Sequence, residues 1–226
     1  MTKKDADLTI ADIQGVDKKD IIRRAAFKLL MNKGFSKTSY SDIAETSGCT
    51  RALVQYYFPK KEELLNDFMA RLLILSDKHL VNRGLKTDSC FIDFYITGYM
   101  HFFFLLENDT MLPLTSDIID RRTHSQTALS LMVDWMNHYE ELACKDTEDI
   151  TAAIFMTVGG AYEYIAYQLD LGKNVDIPLL LERTIGSFIH LLGFNEDDFM
   201  ARHALHLLSE DDIRTINACL LQEMAS

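Results

Sequence analysis

Hydrophobic residues recur every three or four positions along most of the chain, which is the spacing of an amphipathic helix. The first such segment follows Asp17, a favourable N-cap residue with Asp20 in the first turn, and it stops at Gly34. This pattern predicts a helix between Asp17 and Gly34. Its apolar face consists of Ile21, Ile22, Ala25, Ala26, Leu29 and Leu30.

The same spacing continues along the rest of the sequence. No stretch alternates between apolar and polar residues and no segment repeats, so the pattern predicts an all-α fold of about eleven helices. Residues 1–16 lack the pattern and are expected to form a loose arm. The other helices are expected at 41–46, 51–58, 60–83, 88–107, 114–123, 124–144, 147–171, 177–192, after the cap Asn195, and from the cap Ser209 to about 224.

Two of the short predicted helices are joined by a turn that contains Gly48. Glycine can adopt the positive φ that swings the chain between helices. The apolar side chains on the two sides of this turn are Ile43, Ala44, Leu53, Val54 and Tyr57. Two short helices joined in this way form a helix-turn-helix, whose second helix can enter the major groove of DNA.

The solvent side of the second short helix carries Thr50, Arg51, Gln55 and Tyr56. Arginine and glutamine can hydrogen-bond base edges at two points, threonine can reach a base or a phosphate, and tyrosine suits a phosphate. A corner between two helices of an ordinary core, with a solvated polar face, explains the same periodicity. The pattern alone leaves both interpretations open.

Charge is distributed unevenly along the 226 residues, whose formal net charge is −11. Residues 1–65 contain 12 Lys and Arg against 9 Asp and Glu, whereas the remainder contains 11 against 25. A mildly basic segment attached to an acidic body favours a local contact with a polyanion. A net charge of this size over 65 residues is also common on solvated surfaces.

A series of motifs in residues 17–77 resembles the DNA-binding domain of the TetR family of bacterial transcriptional regulators. The motifs keep the family's order and register over some sixty residues. They are Ala25-Ala26, Gly34-Phe35, Thr38-Ser39, Asp42-Ile43-Ala44, Gly48-Cys49-Thr50, Tyr56-Tyr57-Phe58 and Lys60-Lys61-Glu62-Glu63-Leu64. The resemblance implies a DNA-binding domain at 17–77, joined by a long fourth helix to an effector-binding and dimerisation domain at 78–226.

The resemblance also implies DNA-contacting residues. Phosphate contacts are expected from Ser39, Tyr40 and Ser41, base contacts from Arg51, Ala52 and Gln55, and further backbone contacts from Tyr56, Tyr57 and Lys61, beside Thr50 from the pattern above. The chain departs from the family where Gln55 replaces a frequent tyrosine and where Ala52-Leu53 replaces a frequent Gly-Thr pair. These departures leave the base sequence of the operator open.

For the acidic body, the resemblance implies a homodimer formed through the helices at 147–171 and 177–192. The interface residues expected there are Phe155, Val158, Gly159, Leu181, Ile185 and Phe188. A dimer suits a palindromic operator, because two reading helices about 34–36 Å apart match successive major grooves. Repression is the family default, with release of the DNA by a small molecule.

The resemblance further implies a small-molecule pocket inside the body. Its expected lining is aromatic and methionine-rich, as in adaptable apolar sites: Tyr95, Tyr99, Phe102, Phe103, Met132, Trp135, Met136, Tyr139 and Tyr162. Asp134 and Glu163 would favour a cationic ligand if they point inward. Ligand binding is expected to move the helix at 60–83 like a lever. The alternative is a DNA-binding regulator or architectural protein without a small-molecule effector, controlled by a protein partner through the C-terminal helices.

Other classes of function lack support in the sequence. Phosphate-binding glycine loops, a Gly-x-Ser-x-Gly elbow and a His-Glu-x-x-His pair are absent, so we expect neither an enzyme nor a cofactor. His203, His206 and Glu210 have a spacing that can bind metal, but such a pair is more often surface, and no metal is expected. The four cysteines are far apart and no apolar run could span a membrane. The first residues lack the apolar segment of a signal peptide, so none is expected and the expected location is cytoplasmic.

Overall fold

The computed structural model describes residues 17–120, 126–194 and 205–225. Within these ranges the chain forms ten α-helices and no strand, which confirms the predicted all-α fold. The arm expected at 1–16 and the helix expected after Asn195 lie outside the described residues. The helices are α1 (Lys18–Lys33), α2 (Tyr40–Ser47), α3 (Arg51–Tyr57), α4 (Lys61–Asn82), α5 (Cys90–Leu106), α6 (Leu112–Asp120), α7 (Gln126–Met136), α8 (Thr147–Asp170), α9 (Ile177–Leu191) and α10 (Glu210–Ala225).

The prediction of one helix over 124–144 is wrong at its C-terminal end, because α7 stops at Met136. The N–H groups of His138 and Tyr139 donate to carbonyls three residues back, in the tighter geometry that ends helices. The Asn137 amide also donates to the Val133 carbonyl at 2.9 Å, so it occupies an acceptor at the helix end. A short 3₁₀ turn, Glu140–Leu142, then leads to α8.

The described residues pack around two hydrophobic cores. The smaller core joins α1, α2, α3 and the first turn of α4, and it is formed by Ile22, Ala25, Ala26, Ile43, Val54, Phe58 and Leu64. The larger core is formed by residues of α1 and of the helices from α4 through α10. We call α1–α3 with the first turn of α4 the head, and the remaining helices the body.

Two helices belong to both cores and therefore connect head and body. The opposite side of α1 places Phe27, Leu30 and Met31 in the larger core. Phe27 packs edge-on against Phe68 of α4, with ring centroids 5.1 Å apart. Since α4 runs without interruption from the head into the body, a displacement of its middle turns would be transmitted to its first turn.

The end of α1 is also seated against α6. Gly34 has φ +80°, and a Cβ placed there would lie 2.6 Å from Asp117 Oδ2 and 3.0 Å from the Pro113 carbonyl oxygen. The Ser36 N–H donates to Asp117 Oδ2 at 2.9 Å. The chain therefore needs glycine at this joint, both for backbone conformation and for space.

The final helix, α10, packs on α1, α4 and α5. Its buried residues are Ile216, Leu220 and Met224. Polar contacts frame this packing: Glu223 pairs with Lys78 and His79, Asp212 pairs with Arg83, and Asn217 exchanges hydrogen bonds with Asn108. The apolar face of α10 is thus used inside the chain, where it supports both helices that carry the head.

Candidate nucleic-acid interface and body cavity

The start of α2 is fixed by a capping box. Ser39 Oγ accepts from the Asp42 N–H at 3.2 Å, and the Ser39 N–H donates to Asp42 Oδ2 at 2.8 Å. Lys33 of α1 approaches the same carboxylate oxygen at 2.8 Å. The Lys33 ammonium, followed by the Ser39 hydrogen bonds, lowers the pKa of Asp42 from 3.8 to about 2. This carboxylate therefore stays charged and holds α1 and α2 in a fixed relation at neutral pH.

The turn between α2 and α3 follows the expected local chemistry. Gly48 is left-handed, with φ +65°, and its N–H bonds back to the last carbonyls of α2. Thr50 then caps α3, because its hydroxyl accepts from the Leu53 N–H at 3.2 Å. Two capped helix starts and one glycine turn therefore define a helix-turn-helix.

The two faces of α3 differ sharply in exposure. Val54 is buried in the head core, and Leu53 and Tyr57 pack partly against it. The outward face consists of Arg51, Ala52, Gln55 and Tyr56, next to the exposed cap Thr50. This arrangement presents a polar, hydrogen-bonding surface on a short helix that is anchored from behind, which is the geometry of a major-groove reading helix.

Around α3, the expected phosphate contacts divide into two groups. Ser39 and Ser41, at the start of α2, are exposed. Tyr40 is half-buried instead, and its hydroxyl donates to the Phe58 carbonyl at 2.9 Å. Burial first, and then the nearby Glu62 and Glu63, raise the pKa of Tyr40.

Lys61 also makes contacts within the chain. Its ammonium donates to the carbonyls of Phe35 and Thr38, at 2.8 and 2.9 Å, and lies 4.1 Å from the Phe35 ring centroid. It therefore ties the first residue of α4 to the loop after α1. Lys37 and Lys60 are exposed cations close by in the sequence, and the prediction from sequence missed them. Their signal was their position in the two loops that flank the helix-turn-helix.

The body contains a cavity between α4, α5, α7, α8 and α9. The space between its lining atoms totals about 640 Å³, part of it open to solvent, and about 50 Å³ is wide enough for the centre of a water molecule. Among the expected residues, Phe102, Met132, Trp135 and Tyr162 line it. The prediction from sequence missed Met69, Leu73, Phe94, Thr97, Gly98, His101, Ala128, Leu129, Val158, Ala161, Leu181 and Thr184.

The other expected lining residues lie elsewhere. Tyr139 turns away, because its hydroxyl donates to the buried carboxylate of Asp93 at 2.6 Å. Tyr95, Tyr99, Phe103 and Met136 are also outside the lining set. Asp134 and Glu163 are exposed on the outside of α7 and α8, so they do not give the cavity a negative charge.

Two polar residues of α5 reach the cavity, one helical turn apart. His101 is buried, and its Nε2 lies 2.8 Å from the Tyr162 hydroxyl oxygen. Burial lowers the pKa of His101 from 6.5 to about 4, so the imidazole is neutral at pH 7. Thr97 is buried beside it. Their spacing of four residues inside an apolar helix was the signal that could have found them.

The expected dimer residues divide between surface and interior. Val158, Leu181, Ile185 and Phe188 are buried within the single chain, with Leu181 and Val158 at the cavity, so they cannot form an outer contact face. Gly159 is half-buried and Phe155 is exposed. The exposed apolar side chains of α8 and α9 are Phe155, Met156, Tyr167, Leu169, Leu179 and Leu191.

The described residues form neither a metal site nor a membrane span. No group of three or more His, Cys, Asp or Glu residues in the described ranges could hold a metal ion. His203 lies outside those ranges, so the expected histidine pair is not described. None of the described helices is both long and apolar enough to cross a membrane.

Comparisons with known proteins place the head in a family. Residues 22–68 match the family model described as "Bacterial regulatory proteins, tetR family". No curated protein matches the chain significantly. One similar solved structure is SCO7518 of Streptomyces coelicolor A3(2), named a "putative" transcriptional regulator, with 14% identity, a TM-score of 0.44, and coverage of 78% of this chain and 98% of that one. The match at residues 22–68 identifies the head as a DNA-binding domain of the kind found in bacterial regulatory proteins of the tetR family.

Proposed function

We propose that two copies of this chain bind a palindromic operator, repress transcription from it, and release it when a small molecule enters the body cavity. The observation that carries the proposal is the path of α4. Its first turn contributes Leu64 to the head core, while Met69 and Leu73, farther along the same helix, line the cavity. One rigid element thus touches both the DNA-reading unit and the site where a ligand would bind.

In this proposal the outer face of α3 reads the bases. Arg51 and Gln55 are exposed and one turn apart, so both can reach base edges in the same groove. Ala52 between them suits contact with a thymine methyl group. Ser39, Ser41, Thr50, Tyr56 and Tyr57 supply phosphate contacts that set the orientation, with Lys37 and Lys60 adding charge.

Tyr40 and Lys61 have a different role in this proposal. Their polar groups bind carbonyls of the head, at Phe58 for Tyr40 and at Phe35 and Thr38 for Lys61. They support DNA binding by fixing the helix-turn-helix against α4. A phosphate contact from Lys61 would require it to leave at least one of these carbonyls.

The surface of α8 and α9 supports the homodimer. Met156 and Tyr167 on α8 are 64% and 59% exposed, and Leu191 on α9 is 47% exposed. Several large apolar residues on neighbouring helices form the kind of exposed patch that marks a protein contact. A two-fold contact there would repeat the same surface on both copies and match the symmetry of a palindrome.

The cavity supports control by a ligand. A ligand that separates its walls would displace Met69 and Leu73, and hence α4. A coupling free energy of about 1–3 kcal/mol between the two sites would change operator affinity by roughly five- to 150-fold. The alternative of control by a protein partner through the C-terminal helices has less support, since Ile216, Leu220 and Met224 of α10 are buried inside the chain.

The test is a selection of randomised duplex DNA with the full chain, followed by binding across a salt series. We expect one palindrome to be enriched, and its affinity to fall steeply with salt because several phosphates are contacted. Arg51→Ala should weaken binding by about 10- to 100-fold and relax the preference at one position of each half-site. Arg214→Ala is the matched control, because Arg214 is exposed on α10.

Three outcomes would contradict separate parts of the proposal. If the enriched DNA contains a single half-site and one copy of the chain binds it, the proposed dimer is excluded. Equal effects of Arg51→Ala and Arg214→Ala would exclude α3 as the reading helix. A promoter reporter that rises when the chain is present would make the protein an activator.

A further inference from the structure

The cavity in the body has two unpartnered polar atoms in a mostly apolar wall. Thr97 Oγ1 and His101 Nδ1 are buried and have no hydrogen-bond partner among the residues that the structure describes. Thr97 is 1% exposed and His101 is 8% exposed. Both residues line the cavity, and their spacing of four residues puts them on the same face of α5. Buried polar atoms are usually paired, so this pair requires an explanation.

We propose that the cavity binds an uncharged, mostly apolar molecule whose single hydroxyl or carbonyl oxygen is held by Thr97 and His101. The inference rests on the proposed control by a small molecule, because it names the chemical class of that effector. Hydrogen bonds to one ligand oxygen would satisfy both orphaned atoms of α5. The rest of the ligand would contact aromatic and aliphatic side chains such as Phe94, Phe102 and Leu129.

The lining excludes charged ligands. Among its described residues, no side chain carries a carboxylate, an ammonium or a guanidinium group. His101 does not replace them, because burial keeps its imidazole neutral at pH 7. A carboxylate or an ammonium ion would lose its hydration without gaining a counter-charge, which is strongly unfavourable.

The hydrogen-bonding capacity favours a hydroxyl over a carbonyl. If the Tyr162 hydroxyl donates to His101 Nε2, then Nδ1 carries the proton and donates to the ligand. In the other tautomer Nδ1 accepts. The threonine hydroxyl can donate or accept in both cases. An alcohol satisfies either tautomer, whereas a ketone satisfies only one, so an alcohol is the better first probe.

The size of the cavity sets the scale of that probe. Only about 50 Å³ is wide enough for the centre of a water molecule, although the space between the lining atoms totals about 640 Å³. A ligand with one ring must therefore push the walls apart to some extent. Met69 and Leu73 of α4 are among those walls, so occupancy by even a small ring would press on the helix that carries the head.

The chain contains one tryptophan, Trp135, and it lines the cavity. Its fluorescence is therefore a direct report of occupancy. The experiment titrates the full chain with four compounds that share a ring and do not absorb where tryptophan does: cyclohexanol, methylcyclohexane, cyclohexanecarboxylate and cyclohexylammonium. We expect saturable binding of cyclohexanol, weaker binding of methylcyclohexane, and at least tenfold weaker binding of the two ions than of the alcohol.

Matched variants then test the polar contact. Thr97→Val removes the hydroxyl at constant shape, so cyclohexanol should bind up to about tenfold more weakly and methylcyclohexane should bind at least as well. The melting temperature of the free variant should not fall, because an unpaired hydroxyl has been removed. Tyr99→Phe is the control on the same helix, since Tyr99 does not line the cavity, and it should leave both affinities unchanged.

Several results would overturn the inference. One is a charged compound that binds as well as the alcohol. Another is the lack of a saturable response to any of the four compounds. The third is an equal loss of cyclohexanol and methylcyclohexane binding in Thr97→Val. These failures are distinct from failure of the proposed function. If cyclohexanol binds at Trp135 while operator affinity stays unchanged, the cavity chemistry stands and control of DNA binding by that cavity does not.

Discussion

The head and the body direct their candidate functional polar groups in opposite directions, outward on α3 and inward on α5. On α3 the apolar side is anchored by Val54 and the polar side, with Arg51 and Gln55, faces solvent. On α5 the polar pair, Thr97 and His101, faces inward among buried aromatic residues. An outward polar face suits a large charged partner such as DNA, whereas an inward pair suits a small molecule that leaves water completely.

Gly34, where α1 meets α6, is closely packed, whereas Gly48, in the turn between α2 and α3, is not. Substituting each glycine should therefore give the largest difference in stability. Gly34→Ala combines an unfavourable positive φ with a collision against the Pro113 carbonyl, and it should lower the free energy of unfolding by about 2–4 kcal/mol. Gly48→Ala also has positive φ, but no atom lies within 4 Å of its Cβ, so it should cost about 1 kcal/mol. Urea unfolding measures both, and equal losses would mean that the α1–α6 joint tolerates a side chain at Gly34.

The buried imidazole of His101 makes the body sensitive to acid between pH 6.5 and pH 4. The pKa of His101 is about 4 in the folded chain, and it returns to its ordinary value of 6.5 when the chain unfolds. The polar group that faces the imidazole is the Tyr162 hydroxyl. Above pH 6.5 both states are neutral and no stability is lost. As the pH falls from 6.5 to 4, the unfolded chain binds a proton that the folded chain does not, which removes up to about 3 kcal/mol.

This effect can be isolated by comparing unfolding free energies at pH 7 and pH 4.5. The loss on acidification should be smaller in His101→Phe than in the parent chain, because the variant lacks the titrating group. Parallel losses in the two proteins would mean that other groups cause the acid sensitivity. Thr97→Val serves as the control, since it leaves the imidazole in place.

Substitutions of Lys61 and Lys60 distinguish a cation that stabilises the head from one that binds DNA phosphates. Lys61→Met removes the ammonium that donates to the carbonyls of Phe35 and Thr38, so unfolding should become about 1–2 kcal/mol easier. The slope of log affinity against log salt should stay unchanged. Lys60→Met, at the exposed neighbour, should spare stability and reduce that slope by about one. The reverse pattern would make Lys61 the phosphate contact.

The smallest expected effect concerns the ion pair between Asp212, at the start of α10, and Arg83, at the end of α4. Asp212→Asn weakens the contact with Arg83 and removes a charged acceptor for Ser209, and should cost less than about 1 kcal/mol because both groups are partly exposed. Hydrogen exchange should rise in α10 and at the end of α4 while α2 and α3 stay protected. Faster exchange across the whole head would show that α10 supports it more strongly than this pair indicates.

Local signals explain why the head was predictable. Ser39 with Asp42, Gly48 and Thr50 act on residues within a few positions of themselves, so the caps and the turn follow from sequence. The end of α7 was not predictable in this way. Apolar spacing continues past Met136, but the chain turns there, and the Tyr139 hydroxyl beyond the turn donates to Asp93 of α5, 46 residues away.

The site residues show the same limit. The outward face of α3 follows from periodicity, because the position of Val54 determines where Arg51 and Gln55 point. The family resemblance assigned Lys61 to the DNA and Tyr139 to the pocket, yet each is held by partners distant in the chain. Burial of Leu181 and Phe188 inside one chain depends on how α9 is rotated against α5, and helical spacing alone does not determine that rotation.

The packing of α10 on α1 has a consequence for the order of events during synthesis. Helix α1 leaves the ribosome early, whereas the residues of α10 that cover it, up to Met224, are made about 200 residues later. Until they emerge, apolar surface on α1 and α4 is exposed to chaperones and proteases. Premature termination before residue 210 would therefore yield a chain that has its whole helix-turn-helix but is poorly protected from degradation, which limits the accumulation of partial regulators.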